Sequence, residues 1–228
     1  MQLSPRLHAI AQFIPHGCRV ADVGTDHGYL PIWLRTTNRV PFVIASDLRT
    51  GPLDTAKQNA TRARVDAGID FRLADGLSAI FPHEVEVIVM SGLGGETIAE
   101  ILDQAPWVFQ GDYRLILQPQ SKIPLLLDRI STGGYHIADG CLVEEAGKIY
   151  PIYMADPGEM EPPTGGARYI PSAILDKGGE LLDVYLLELC KKLSRALSGL
   201  SQARDQNQVE KKQRLAAALQ DLENWRRK

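Results

Sequence analysis

Acidic residues end two short apolar segments near the start of the chain, and a turn follows each of them. Residues 20–28 read VADVGTDHG and residues 43–47 read VIASD, so Asp22 and Asp47 close the two segments. A buried strand that ends in a turn with spaced glycines allows the backbone to approach a ligand. A carboxylate after the second strand can accept hydrogen bonds from the two hydroxyls of a ribose. The pair therefore predicts a site for a nucleoside-containing cofactor.

The first glycine loop differs from the loop that binds a dinucleotide. Asp26 stands where that loop has its middle glycine, and its carboxylate would repel a pyrophosphate. It could instead face the sulfonium and amino end of S-adenosylmethionine (SAM). A simple turn capped by Asp26 is the alternative. His27, in the same loop, fits a proton-transfer role and a structural role equally well.

Three later segments place polar residues or glycines after further strands. Asp75 and Gly76 follow the third strand, where a carboxylate can read an adenine amino group, or where a plain turn could lie. Residues 91–95 (SGLGG) follow the fourth strand, and three glycines there let the backbone come close to both reactants. The alternative for this segment is a flexible loop. Gln118 ends the fifth strand at the same edge, where its amide could bond to a planar base.

Strands and helices alternate over the first two thirds of the chain. A first helix is expected after Ser4 and Pro5. The expected strands are Arg19–Val23, Phe42–Ser46, Phe71–Leu73, Glu84–Met90 and Arg114–Leu117, with helices from about Leu30 and over about 52–67, 96–104 and 123–131. This alternation predicts an α/β fold with a doubly wound parallel sheet. Residues 135–143 and 148–155 predict a closing antiparallel hairpin, the layout of class I SAM methyltransferases, whereas a dinucleotide dehydrogenase would add another crossover.

A linker rich in proline and glycine, over residues 156–169, separates this fold from a helical C-terminal region. Leucine and alanine then recur every three or four residues, first from Leu186 to Ala203 and again from Leu215 to Leu222. The pattern predicts two long helices that fold back as an antiparallel, coiled-coil-like hairpin. The expected domains are 1–156, for SAM binding and methyl transfer, and 157–228, a helical domain.

Composition bounds the remaining possibilities. The 228 residues carry a net charge of -3, which excludes a basic coat over the whole surface, yet residues 176–228 hold 11 basic and 8 acidic residues. The three cysteines lie far apart without metal-ligand spacing, and no apolar run is long enough to cross a membrane. We therefore expect a soluble cytoplasmic protein with no metal, no membrane contact and no evident protein partner.

The motifs together resemble the bacterial tRNA (adenine-22-N1)-methyltransferase family, over nearly the whole chain. The similar segments are residues 3–7, 22–31, 45–52, 75–77, 91–95 and 117–119, and the Asp26-His27 pair is the most specific of them. The chain departs from the family pattern in three places. Ser91 and Leu93 stand for the usual alanine and methionine, Gln120 stands for asparagine, and Pro151 stands for a glutamate of the last hairpin. The last departure leaves the role of that glutamate open.

The resemblance implies methyl transfer from SAM to N1 of adenine 22 in the tRNA D-arm. Asp26, Gln118 and Ser91 are then the expected catalytic residues, with Asp26 offsetting the positive charge that develops on the base. The expected cofactor contacts are Asp22, Gly24, Thr25, Asp26, His27, Tyr29, Leu30, Asp47, Leu48, Asp75, Gly76, Ser91 and Gly92. The expected tRNA contacts are Gly94, Gly95, Gln120, Arg6, Lys192, Arg195 and Lys211.

Other interpretations remain open at this point. By spacing alone, the basic helical residues fit a solvated coiled-coil face as well as they fit a surface for tRNA phosphates. A class I methyltransferase acting on a protein or a small molecule would share the sheet and the cofactor residues. A SAM- and RNA-binding module without catalysis is a second alternative, and a NAD-dependent dehydrogenase is a distant third.

Overall fold

A computed structural model describes residues 2–200 and 206–227 of the chain. The chain divides into two compact units, Met1–Met160 and Glu161–Lys228. The boundary expected from the sequence, after residue 156, stays a prediction about where independent folding domains meet.

The first unit is built on one seven-stranded sheet with the order β3-β2-β1-β4-β5-β7-β6. The first five strands pair in parallel, and β7 runs antiparallel to both β5 and β6. The predicted fold class, a parallel sheet closed by an antiparallel hairpin, is therefore confirmed. The strands are β1 (Arg19–Val23), β2 (Phe42–Asp47), β3 (Ile69–Leu73), β4 (Val87–Leu93), β5 (Arg114–Pro119), β6 (Tyr135–Glu145) and β7 (Lys148–Pro157).

The strand order reverses at β1, and this reversal locates the site. From β1 the chain continues outward through β2 and β3, and β4 then returns to the other side of β1. The connections on the two sides leave from the same edge in opposite directions, so a crevice opens at the carboxyl ends of β1 and β4. Four of the five residues of β1 and the first four of β4 are buried, so the edge that carries the loops is rigid.

Five helices belong to this unit, and their amphipathic faces explain where they pack. They are α1 (Pro5–Phe13), α2 (Tyr29–Thr36), α3 (Thr50–Ala63), α4 (Gly95–Gln104) and α5 (Ile123–Thr132). The predicted first helix, α1, begins with Pro5 after an N-cap at Ser4, whose hydroxyl accepts a hydrogen bond from the Leu7 amide at 3.4 Å. Ile10 is completely buried in the same core cluster as Val143 and Ile152, so α1 packs on β6 and β7.

Several predicted boundaries were wrong by two to four residues, and two of these differences have a local reason. The helix α3 ends at Ala63 because Arg64 takes a left-handed conformation with φ 58°, four residues before the expected end. Strand β3 begins at Ile69, two residues early. Strand β4 begins only at Val87, because Pro82–Glu84 form a 3-10 turn whose Glu84 carboxylate pairs with Arg72 at 2.8 Å.

The closing hairpin turns over two residues with positive φ, Ala146 at 52° and Gly147 at 73°. Two left-handed residues make a type I′ turn, whose twist matches that of the flanking strands. Glu145 and Lys148 therefore pair directly across the turn, which fixes the position of the Glu145 side chain.

The second unit contains α6 (Ser172–Leu175), α7 (Glu180–Gly199) and α8 (Gln206–Trp225). The predicted helical hairpin is confirmed, since α7 and α8 pack against each other. Leu186, Leu189 and Leu193 of the expected apolar face are buried, and Leu222 is buried on α8. Ala203, the last residue of the first expected run of leucine and alanine, lies outside the described residues.

Candidate active site

A cleft of about 820 Å³ opens at the carboxyl ends of β1, β2 and β4. This volume falls within the range of roughly 300–1,000 Å³ that is usual for pockets that bind small molecules. Every residue expected to contact the cofactor lines this one cleft: Asp22, Gly24, Thr25, Asp26, His27, Tyr29, Leu30, Asp47, Leu48, Asp75, Gly76, Ser91 and Gly92. The tertiary structure therefore brings together four segments that the sequence keeps up to seventy residues apart.

The glycine loop after β1 is tied to the end of β2 through its backbone. The amides of Gly24 and Thr25 both donate to the Ser46 carbonyl at 2.9 Å. Gly28 begins α2 with φ 72°, and a Cβ on it would lie 2.9 Å from the Ala56 Cβ. A side chain there would clash with α3, so this glycine is required for packing as well as for the turn.

Asp22 is the most perturbed acid of the cleft. Its side chain lies at the end of β1 and the residue is 5% exposed. Burial raises its pKa to about 6, the nearby Asp47 carboxylate adds to the rise, and a hydrogen bond of 2.7 Å from the Thr25 hydroxyl opposes it. A carboxylate held in this way gains from any cation that enters the cleft.

Asp47 is the second buried acid, and one backbone amide donates a hydrogen bond to each of its two oxygens. Oδ2 accepts the Asp26 amide at 3.1 Å and Oδ1 accepts the Arg49 amide at 2.9 Å. Each oxygen keeps a further lone pair, so two neighbouring hydroxyls can bond to the carboxylate without moving it. This geometry suits the diol of a ribose.

Asp26 and His27 form the rim of the cleft above Asp22. Asp26 has φ 52°, a left-handed conformation that Asp tolerates better than most residues. Its carboxylate is 59% exposed and lies 3.6 Å from the Nε2 atom of His27. The His27 carbonyl accepts the Asn59 side chain at 3.0 Å, so α3 supports the loop. Both roles considered for His27 remain predictions.

Asp75 and Gly76 close the far end of the cleft beyond β3. Asp75 is exposed, whereas Gly76 is buried with φ 54°, and a Cβ on it would lie 2.9 Å from Ile101 of α4. Leu48 is 65% exposed and Tyr29 is 45% exposed, although both line the cleft. Exposed apolar side chains at a cleft are suited to cover the flat faces of a bound base.

Gln118 occupies a different position from the one expected. Its side chain is fully buried and does not line the cleft. Its Oε1 accepts the Gly92 amide at 3.1 Å and the Arg6 guanidinium at 3.2 Å, and its Nε2 donates to the Pro119 carbonyl at 3.0 Å. In this arrangement Gln118 supports the Ser91–Gly92 backbone, and direct contact with a base would require three hydrogen bonds to break.

Arg6 and Glu145 meet at the same end of the cleft from opposite ends of the first unit. The Glu145 carboxylate accepts the Arg6 amide at 3.0 Å and lies 3.6 Å from its guanidinium. Burial raises the pKa of Glu145, but hydrogen bonds from Ser4 and from the Arg6 amide, together with the Arg6 charge, bring it below its ordinary value. No local pattern of residues predicted a role for Glu145, because only the fold brings it next to α1.

The six other expected substrate contacts have distinct positions. Gln120 is exposed and lines the cleft, and its amide donates to the Leu93 carbonyl at 2.8 Å. Gly94 and Gly95 do not line it. A Cβ on Gly95 would lie 2.5 Å from the Ser121 carbonyl, so this glycine serves close backbone packing at the start of α4. Lys192 and Arg195 on α7 and Lys211 on α8 are exposed.

Over residues 2–200 and 206–227, no group of three or more potential ligand side chains could hold a metal ion. None of the helices in that part of the chain is both long and apolar enough to cross a membrane. Cys18, Cys141 and Cys190 form no disulfide with one another.

Comparisons with known proteins agree with the geometry of the cleft. Residues 3–153 match the model of the methyltransferase domain family. The tRNA (adenine(22)-N(1))-methyltransferase of Bacillus subtilis is 33% identical over 161 residues, which are 71% of this chain and 68% of that protein. A putative tRNA (m1A22) methyltransferase of Streptococcus pneumoniae, crystallised with S-adenosyl-L-methionine, superposes with a TM-score of 0.83 at 31% identity, over 99% of this chain and 100% of that one. The crystal structure of the B. subtilis M1A22 tRNA methyltransferase gives a TM-score of 0.88 at 26% identity, with 99% of each chain covered.

The fold, the cleft and the family model define a class I SAM-dependent methyltransferase. Within that class, the relative from B. subtilis is similar enough over enough of both chains to fix the family. The chain belongs to the bacterial tRNA (adenine-22-N1)-methyltransferase family.

Proposed function

We propose that this protein transfers a methyl group from SAM to N1 of adenine 22 in the D-arm of tRNA. The observation that carries the proposal is the single cleft in which all the expected cofactor residues meet. The similarity to the B. subtilis tRNA (adenine(22)-N(1))-methyltransferase supplies the substrate. Since tRNA is made and used in the cytoplasm, the proposal keeps the cytoplasmic location expected from the sequence.

Different residues of the cleft would contact different parts of the cofactor. Bound SAM supplies an electrophilic methyl group on a sulfonium cation. Asp47 would hold the ribose hydroxyls with its two carboxylate oxygens, each of which also accepts a hydrogen bond from a backbone amide. Asp75 would accept the adenine amino group, and Leu48 would cover the base. Asp22 and Asp26 would face the cationic end, where two carboxylates favour positive charge.

The acceptor atom needs alignment more than activation. N1 of adenine has a lone pair in the plane of the ring, so no proton has to leave before attack. The protein must hold N1 in line with the methyl group and the sulfur, and must stabilise the cation that forms on the base. Asp26 suits this second task, because its carboxylate lies on the rim of the cleft and is more than half exposed. No general base is required.

The acceptor base must leave its surroundings to reach the cleft. N1 lies on the edge of adenine that forms Watson–Crick pairs, so the base has to be unpaired or flipped out. Ser91 and Gly92 line the acceptor end, and Gly92 with φ 78° has no side chain to obstruct a planar base. Gln118 contributes by holding the Gly92 amide, which replaces the direct contact expected from the sequence.

The second unit provides a surface for the body of the tRNA. Lys192, Arg195 and Lys211 are exposed on its two long helices. Lysine and arginine contacts to phosphates give affinity and register without reading the base sequence. The choice of adenine would then rest on the cleft.

The test is methylation of a defined transcript. An unmodified tRNA carrying A22 is incubated with the purified protein and SAM with a labelled methyl group, and the modified base is mapped by reverse transcription, which stops at N1-methyladenine. We expect one stop, at position 22. The same transcript with G22 is the matched control and should take up no label. Label at another position, or label in protein with none in tRNA, would contradict the proposal.

A further inference from the structure

One arginine of the first helix connects three elements at the acceptor end of the cleft. The Arg6 Nη1 atom donates to the Gln118 Oε1 at 3.2 Å, and its guanidinium lies against Glu145 at 3.6 Å and over the Tyr150 ring at 5.1 Å from the ring centre. The side chain of Arg6 is 22% exposed and that of Glu145 is 23% exposed. The Arg6 side chain is therefore mostly buried and contacts three protein groups, and its Nε atom is buried without a hydrogen-bond partner. A free contact for tRNA phosphate would be more exposed than this.

The bond to Gln118 decides which way its amide points. Gln118 is completely buried, and its oxygen faces two donors, the Gly92 amide and Arg6, while its nitrogen faces the Pro119 carbonyl. If the amide were reversed, its NH2 group would meet both donors and its oxygen would meet a carbonyl oxygen. In a dry interior these repulsions are strong. The positive charge of Arg6 thus favours the one orientation that can accept the Gly92 amide.

We propose that Arg6 is a positioning residue, which fixes the Ser91–Gly92 backbone through the Gln118 amide and so places the acceptor base for methyl transfer. This inference rests on the proposed function and replaces the phosphate contact expected for Arg6 from the sequence. Glu145 and Tyr150 hold the guanidinium in place from the side of the hairpin. Their contribution explains why the N-terminal helix and the last hairpin end at the same cleft.

The two roles of Arg6 predict different kinetics. A phosphate contact would affect the KM for tRNA and the salt dependence of binding. A positioning residue would affect kcat, because a displacement of about 1 Å in a reactive geometry can cost on the order of 100-fold in rate. We therefore expect Arg6→Ala to lower kcat by about 10- to 100-fold, with the Kd for SAM, the KM for tRNA and its salt dependence close to those of the wild type.

Arg6→Lys separates the roles even if Arg6→Ala should fail to fold. A lysine keeps the charge that a phosphate needs, but it lacks the planar guanidinium, which donates to Gln118 while it lies against Glu145 and over the Tyr150 ring. We expect Arg6→Lys to lose nearly as much kcat as Arg6→Ala. Lys57→Ala, which removes a cation that does not line the cleft, is the matched control and should leave kcat unchanged. Wild-type kcat in Arg6→Lys with a raised KM in Arg6→Ala would overturn the proposal.

A second readout does not depend on activity. Hydrogen exchange of the Gly92 amide, followed by NMR, reports whether Gln118 still accepts it. We expect faster exchange in Arg6→Lys than in the wild type and no change in Lys57→Ala. Unchanged exchange would also overturn the inference. If the wild-type protein did not methylate A22, the proposed function would fail, whereas active wild type with unaffected Arg6 variants would refute only the role of Arg6.

Discussion

The two ends of the cleft are built in opposite ways. At the donor end, Asp22, Thr25 and Asp26 lie within five residues of one another, and Asp47 completes the set from the neighbouring strand. At the acceptor end, Arg6, Gln118 and Glu145 come from the first helix, the fifth strand and the last hairpin. The donor end is therefore a local motif, while the acceptor end is an assembly of distant parts. Cofactor binding and base positioning should therefore respond to different substitutions.

The largest effect is expected at the centre of the donor end. Asp47→Ala should weaken SAM binding by about 100-fold, because hydrogen bonds to a charged group contribute roughly 1.5–3 kcal/mol each. Calorimetric titration with SAM measures this Kd. Asp54→Ala, an exposed acid on α3 outside the cleft, is the control. A Kd within twofold of the wild type in Asp47→Ala would remove Asp47 from the site.

Asp26 should affect turnover more than binding, and so connects the two ends. Asp26→Ala should lower kcat by about 30-fold, a moderate value for an electrostatic contribution because the carboxylate is partly exposed to water. The Kd for SAM should change by much less than kcat. Single-turnover methylation with saturating SAM measures the step directly, and unchanged turnover would exclude Asp26 from the mechanism.

The helical unit should change the KM for tRNA without changing either end of the cleft. Replacing Lys192, Arg195 and Lys211 together by Ala should raise this KM by about 10-fold at moderate salt and flatten its salt dependence. SAM binding should not change. Glu210→Ala, an exposed acid of α8, is the matched control. A triple variant with wild-type KM would favour the solvated coiled-coil face over a tRNA surface.

The smallest effect is a pH dependence that belongs to the donor end alone. Because the pKa of Asp22 is raised to about 6, the free protein takes up a proton there as the pH falls from 7.5 to 5.5. The cationic end of SAM then loses a charged partner, and the affinity should fall by about 4-fold on the scale set by proton linkage. Asp22→Asn should bind SAM weakly at both pH values, and an unchanged pH dependence in that variant would assign the titration to another group.

The same rise in the pKa of Asp22 means that its charged carboxylate destabilises the unliganded protein at neutral pH. A raised carboxyl pKa contributes stability below the unfolded value of 3.8, and this contribution is lost as the pH rises through about 6. Unliganded Asp22→Asn should therefore unfold at a higher temperature than the wild type at pH 7.5, and the difference should shrink towards pH 4. The acid would thus be kept for binding and not for stability.

The sequence predicted the elements well wherever a pattern was local and uninterrupted. β1 was predicted to the residue, Arg19–Val23, because a continuous apolar run ends at a glycine turn. The predicted start of β4 was wrong, because Glu84 pairs with Arg72 instead of continuing the strand. The residues next to Glu84 in the sequence do not indicate this pair. Likewise, α3 ends early because Arg64 takes a left-handed backbone conformation, which an arginine at this position does not predict.

The class of fold, the family and the donor end of the cleft could all be predicted from the amino-acid sequence. The reason is that strand periodicity, glycine turns and the acids that follow them are encoded within short segments. Three features became visible only in the folded protein: Gln118 is buried and bonded to the Gly92 amide, Arg6 is paired with Glu145, and Glu145 lines the cleft. The contacts of Arg6 with Glu145 and with Gln118 join residues that are 139 and 112 positions apart. Such contacts depend on how the sheet aligns its strands and on where α1 packs, and no local pattern of residue types contains that information.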